Sequence, residues 1–269
     1  MEGRLRTLAS GLFLIVWLAS SAAAWAEERE RWQFKAGVTY EAGDFGTGIT
    51  TKTLFLPFTI RYLGDRFDLG LTVPFIQQET SQAVTLVDGV PVRIRAEEGV
   101  KQTASGLGDL VLKGRLYLLD DPGPASFLPA VTPFFKLKFP TADEDDGLGT
   151  GEFDYGFGLE FDKRLNGLFL FADAGYTFIG DPPGINLRDR VSAGGGVGYY
   201  LTRNLSASVS LAWSRSLVKG ADDPTDVFFD LSWRITRTLT LSPHVSVGLT
   251  NGSPDFGLGF ETSYRFGRR

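Results

Sequence analysis

The chain has one histidine, His244, and no cysteine. Without thiols there is no disulfide scaffold and no thiol-based metal or redox chemistry. His244 stands two residues from Ser242 and from Ser246, and Asp230 and Ser232 fall on the preceding predicted strand. These types could form a Ser-His-acid set, in which imidazole takes the serine proton and a carboxylate orients the imidazole. The simpler reading is a histidine in a wet interior, because a catalytic base also needs a positioned partner. No catalytic residue, metal ligand or cofactor is assigned. Asp143-Glu144-Asp145-Asp146-Gly147 offers oxygen ligands but not a full twelve-residue calcium loop, and reads as a solvated loop tip. Gly194-Gly195-Gly196-Val197-Gly198 is no phosphate loop, since no helix follows it. Inside a strand it marks a flat or bent patch of wall, or a close backbone approach.

The remaining candidates are charges placed where strands would normally carry Gly, Ser or Thr. They are Asp109, Lys113, Arg115, Lys136, Lys138, Asp154, Glu160, Asp173, Asp230, Arg234 and Glu261, with His244 among them. Rings of charged side chains are how pores select, so these twelve residues are expected to line a pore. The bases concentrate around 110–118 and 131–139, the acids around 153–162 and 170–178. Facing one another, the two groups would set a field across a lumen. Paired, they would only stabilise a closed interior.

The elements that carry them are read from a repeating alternation. In Phe153-Asp154-Tyr155-Gly156-Phe157-Gly158-Leu159-Glu160-Phe161-Asp162 every odd residue is large and apolar and every even one is Gly or acidic. Successive strand residues point to opposite faces, so such a segment has one apolar and one polar face. About twelve segments of this kind follow one another, joined by connections that alternate between tight and long. Two tight ones resemble each other, around Thr202-Arg203-Asn204 and Thr236-Arg237-Thr238. Glu79 to Ser105 is polar and reads as a long loop. Pro57, Pro74, Pro133 and Pro243 lie in or near strand runs, where a missing N–H implies bulges or strand ends. Trp32, Tyr62, Phe67, Tyr199, Tyr200, Trp213, Trp233, Tyr264 and Phe266 sit near strand ends, as an aromatic girdle would.

Residues 1–26 read as a signal peptide: Arg4 and Arg6, an apolar run from Leu8 to Trp17, then Ala24-Trp25-Ala26. The domain proper is 27–269. No later stretch has eighteen consecutive apolar residues, so no transmembrane helix is predicted. The net charge of −5 argues against a nucleic-acid partner. Twelve strands enclose more space than side chains fill in an eight-stranded barrel. Charges on the polar face would then be solvated inside, whereas a basic residue on a lipid face costs about 2–4 kcal/mol at the midplane. The sequence therefore predicts an all-β, antiparallel transmembrane barrel, with short periplasmic turns and longer extracellular loops, in the cell outer membrane.

Several motifs point to a family. Leu56-Pro57-Phe58, Arg61-Tyr62 and Asp65-Arg66-Phe67-Asp68-Leu69 are followed by Thr72-Val73-Pro74-Phe75, Gly106-Leu107-Gly108-Asp109-Leu110 and Lys136-Leu137-Lys138-Phe139-Pro140-Thr141. Together they resemble the outer-membrane transporter family named for the meta-pathway of phenol degradation. The resemblance implies a barrel that moves small, often hydrophobic or aromatic compounds. The partners expected are outer-membrane lipid, a small solute and, during biogenesis, the barrel-assembly machinery. The last aromatic, Phe266, is followed by Gly267-Arg268-Arg269 instead of closing the chain. Two other classes stay open: a structural or surface-interaction barrel using the 79–105 segment, and a barrel hydrolase.

Overall fold

The computed structural model describes residues 30–45, 50–87 and 90–267, and the side chains of 81–102 are left aside. The expected leader, 1–26, lies outside the described residues. The strands are β1 (Trp32–Gly43), β2 (Thr51–Leu63), β3 (Phe67–Val87), β4 (Val90–Leu107), β5 (Leu110–Leu116), β6 (Ala130–Phe139), β7 (Asp154–Leu165), β8 (Leu168–Phe178), β9 (Arg190–Tyr200), β10 (Leu205–Ser214), β11 (Thr225–Arg234), β12 (Leu239–Gly248) and β13 (Phe256–Phe266). Each pairs antiparallel with its sequence neighbour, except that β5 pairs β3. The ring closes through β1 and β13. β4 and β5 succeed each other along β3, so thirteen strands make a closed barrel of twelve staves.

The usual burial order is inverted. Phe157, Tyr155, Leu211, Phe229, Trp233 and Leu258 are exposed, whereas Asp154, Glu160, Lys138 and Gln33 are buried. An apolar exterior around a polar interior is what lipid outside demands. Most strands have ten to thirteen residues and, tilted, span roughly the 25 Å apolar band of outer-membrane barrels. Aromatics ring both rims. Trp32 meets Tyr62 at 5.2 Å at the short-turn end, and Tyr155 stacks on Phe178 at 4.8 Å at the long-loop end.

Two expectations are corrected. The segment read as a loop over 79–105 is a strand pair. β3 leaves β2 after Glu79 and continues beside β4, with Val87 opposite Val90. Past the wall a strand pair needs no alternating apolar face, so the pattern that found the other strands is silent there. In the sequence alone, the dipeptide Asp-Gly at 88–89 is a short-range hairpin signal.

The prolines do not all force bulges. Pro57 stands directly opposite Pro74. Pro74 turns its carbonyl toward β4, accepting the Gly108 N–H at 2.9 Å. Pro57 faces β1, whose pairing to β2 lapses between Ala36 and Thr39 without a change of register. Each proline thus places its missing donor on its outer side, away from the other. The partner strand gives way at Pro74, at the break between β4 and β5, and beside Pro133, where the β5–β6 ladder stops at Arg115 and Phe134 and resumes one residue out of register in a Leu119–Val131 bridge. At Pro243 the β11–β12 ladder skips and resumes in the same register.

Candidate functional site: the barrel interior

The period of two sends the inward residues of β5, β6 and β7 to one wall, where most of the expected pore-lining charges meet. Lys138 on β6 is the first centre. Its Nζ lies 3.1 Å from Asp109 Oδ2, 2.9 Å from Asp154 Oδ2 and 3.1 Å from Thr150 Oγ1. Asp154 is its cross-strand partner, and Asp109 comes from the β4–β5 break. Each buried ion would cost several kcal/mol alone, so the remaining lone pairs must be occupied. Backbone donors occupy them: Thr141 and Ala142 donate to Asp109 at 3.0 Å, and Gly180 to Asp154 at 2.9 Å. The Asp109 bonds and the Thr150 contact fasten loop 140–153 to the wall, and the Gly180 bond fastens the β8–β9 connection. Leu148 of that loop is buried against Ile76, with Phe55 and Ala142 around them.

Glu160 is the second centre, at 1 % exposure. Lys113 Nζ reaches it at 2.7 Å and Arg115 Nε at 3.5 Å, across the intervening β6. Lys113 also lies 4.4 Å above the Phe134 ring. Asp173 is the cross-strand partner of Glu160, and Lys136 stands opposite Lys113. Further round, Lys35 and Glu261 pair at 2.9 Å, and Asp68 holds both Arg61 and the Tyr117 hydroxyl.

The expected transverse field is therefore corrected. The bases and acids sit one or two staves apart and pair with one another within the wall. Sequence reasoning missed Arg61, Asp68, Lys35 and Tyr117. Counting register outward from the Leu63–Asp68 pairing at the tight turn brings Arg61 and Asp68 to neighbouring inward positions.

The stretch of wall beyond β8 differs. Ser192 and Gly194 on β9, Ser206, Ser208 and Ser210 on β10, and Asp230 and Ser232 on β11 are only half-buried. Asp230 stands opposite His244, whose neighbours Ser242 and Ser246 share its inward face. No hydrogen bond joins Asp230 to His244, and neither ring nitrogen is held by a carboxylate. The arrangement does not assemble a catalytic set. Arg234 is exposed at the short-turn mouth, apart from both charged centres.

The glycine run makes room for rings. A Cβ on Gly196 would lie 2.5 Å from Phe171 Cζ, and one on Gly198 2.0 Å from Phe169 Cζ. Phe134 covers Gly158 likewise, so aromatic rings lie flat on the inner wall. The acidic tip is a local turn: Asp143 Oδ1 accepts the N–H groups of Asp145 at 3.0 Å and Asp146 at 3.2 Å. Among the described residues no acid or histidine cluster could hold a metal. At the short-turn end Lys163 Nζ binds Asp121 and the carbonyls of Gly123 and Leu128, at 2.7 and 3.1 Å. Desolvation pushes the Asp121 carboxyl up, but the Lys163 bond and backbone N–H donors prevail and hold it down to about 2.

A barrel with a polar, charge-bearing inside and an apolar outside can be compared with known proteins. The family model described as "Putative MetA-pathway of phenol degradation" matches residues 19–266. The chain belongs to that family. An outer-membrane channel from Pseudomonas putida F1 has a similar structure, with a TM-score of 0.69 at 15% identity over 90% of this chain and 99% of that one. The NanC porin aligns with a TM-score of 0.52 at 10% identity, over 87% and 99% of the two chains. The translocator domain of the autotransporter NalP from Neisseria meningitidis gives 0.51 at 11%, over 89% of each. No curated protein sequence matches the chain. The likeness establishes an outer-membrane barrel fold. Neighbours with such different tasks leave function to the interior.

Proposed function

We propose that the protein is an outer-membrane channel for a small organic compound, with residues 1–26 as its export signal. The carrying observation is the half-buried Ser and Gly wall of β9–β11, which leaves polar surface accessible inside the barrel from the short-turn mouth upward. The buried charge centres on β5–β7 would then narrow and fix the bore, with Lys113, Arg115 and Asp173 at its edge. Aromatic cargo agrees with the family's description and with the rings of Phe134 and Phe171 laid against the inner wall. His244 and Asp230 line the path without a catalytic part. Planar-bilayer recording of refolded protein tests this reading: discrete conductance steps are expected. Their absence, together with no solute uptake into proteoliposomes, overturns it.

A second reading has its own observation. The β3–β4 pair runs on past the wall, and beyond Glu79 β3 pairs with β4 alone. Such an arm is a surface for contact with another macromolecule. Replacing 81–102 by a short Gly-Ser link should leave conductance intact if transport is the function.

A further inference from the structure

The two similar tight turns have a shared consequence. Thr202 Oγ1 accepts the N–H groups of Asn204 and Leu205 at 3.2 and 3.0 Å, and Thr236 Oγ1 accepts those of Thr238 and Leu239 at 3.2 and 3.0 Å. The same hydroxyl-closed turn therefore occurs twice, and each time the residue after the threonine is an arginine. The turns join neighbouring hairpins, β9–β10 and β11–β12, so Arg203 and Arg237 come to the same rim. Inward-facing Arg234 and Arg265 rise beside them from β11 and β13.

These four arginines line one cavity of about 100 Å³ at the short-turn mouth. Gln33 and Ser263, bonded to each other at 2.6 Å, form part of its floor. Among the described residues no aspartate or glutamate lines it. Glu30, where the described chain begins, acts on Arg265 from outside the lining. In a chain of net charge −5, this concentration of positive charge is local.

We propose that this mouth is an anion-binding vestibule that takes the carboxylate end of a small organic acid. A guanidinium fork matches a planar carboxylate through two parallel N–H bonds. The volume is below that of pockets enclosing whole drug-sized ligands, and suits a charged head with its apolar body directed into the lumen. The inner ring of Phe171, which is half-buried, offers that body a surface. The inference rests on the channel reading for its place in transport, but not for the binding itself.

Arg203 and Arg234 are exposed and can be changed without opening a buried pair. The probes are benzoate and inorganic phosphate, and the variant is the double substitution R203Q/R234Q, checked by heat-modifiable migration. In a KCl gradient the wild-type protein should prefer chloride, and benzoate added at the short-turn side should block current. The double variant should lose most of the preference and need at least about tenfold more benzoate, as expected for lost charge-assisted hydrogen bonds. Conductance without anion preference, or unchanged by the substitutions, overturns the vestibule but not the channel. If there is no conductance, calorimetric titration of the detergent-solubilised barrel decides. Benzoate binding lost in the variant upholds the vestibule while the channel reading falls, and no binding overturns both. Displacement of benzoate by lower concentrations of phosphate overturns the carboxylate assignment in favour of a phosphate site.

Discussion

The wall of β5–β7 and the wall of β9–β11 are built on the same alternation and have opposite interiors. On the first, Glu160, Asp154 and Lys138 are nearly inaccessible and each is held by two or more partners. On the second, serines and glycines leave polar surface half-open; of its two strand carboxylates, Asp226 is buried near the long-loop end and Asp230 stands by an imidazole that it does not bond. The difference shows that charge inside a barrel is not itself evidence of a path. Charges that have found one another serve as structure, and uncharged small residues leave the room.

The sharpest test of that contrast is removal of a shared partner. Glu160→Ala strands Lys113 and Arg115, and Lys138→Met strands Asp109 and Asp154. Each should cost about 3–5 kcal/mol in denaturant unfolding of the refolded barrel. Lys138→Met should also loosen loop 140–153 and raise proteolysis near Asp143–Gly147. Ser208→Ala on the other wall should stay within about 0.5 kcal/mol. Equal losses from the two walls would erase the distinction.

A smaller effect tests which face meets lipid. Phe157→Arg should cost about 2–4 kcal/mol in a bilayer, whereas Ser208→Arg should fold and reduce conductance instead. Next, Gly196→Val would drive a side chain into Phe171 and the Val209 carbonyl, each 2.5 Å from where the new Cβ would stand, at about 1–3 kcal/mol. Its unfolding midpoint should fall while that of Ser210→Val falls less.

The smallest effect is confined to the short-turn end. The Asp121 carboxyl titrates near 2 when folded, below the ordinary value of about 4. Its contribution is therefore complete above pH about 4 and lost as pH falls through about 2. The turn should stay closed at pH 4, and Asp121→Asn should remove the acid-dependent part of its opening, read by amide exchange at Arg164.

Strand positions, faces and stave number were legible because lipid imposes a strict period of two on every wall segment. Lys113, Arg115, Lys138, Asp154 and Glu160 were legible as inward charges for the same reason. Their partners were not, because pairing depends on register and on reach across a stave: Lys113 passes over β6 to meet Glu160. The β3–β4 arm escaped because a strand outside the membrane carries no apolar period. The mouth escaped because Arg203 and Arg237 belong to turns, where alternation says nothing, and their convergence follows from neighbouring hairpins.

The facing prolines have a mechanical consequence. A sheet resists bending through its transverse hydrogen bonds, and it is most compliant where they are missing. The lapse between β1 and β2 at Pro57 and the break between β4 and β5 beside Pro74 fall at one height on neighbouring staves. They form a crease across this sector of the cylinder, where two nearby seams lapse together. Lateral pressure from the bilayer would be taken up along that crease first, so the bore would change shape by folding at a fixed line while the rest of its circumference kept its curvature.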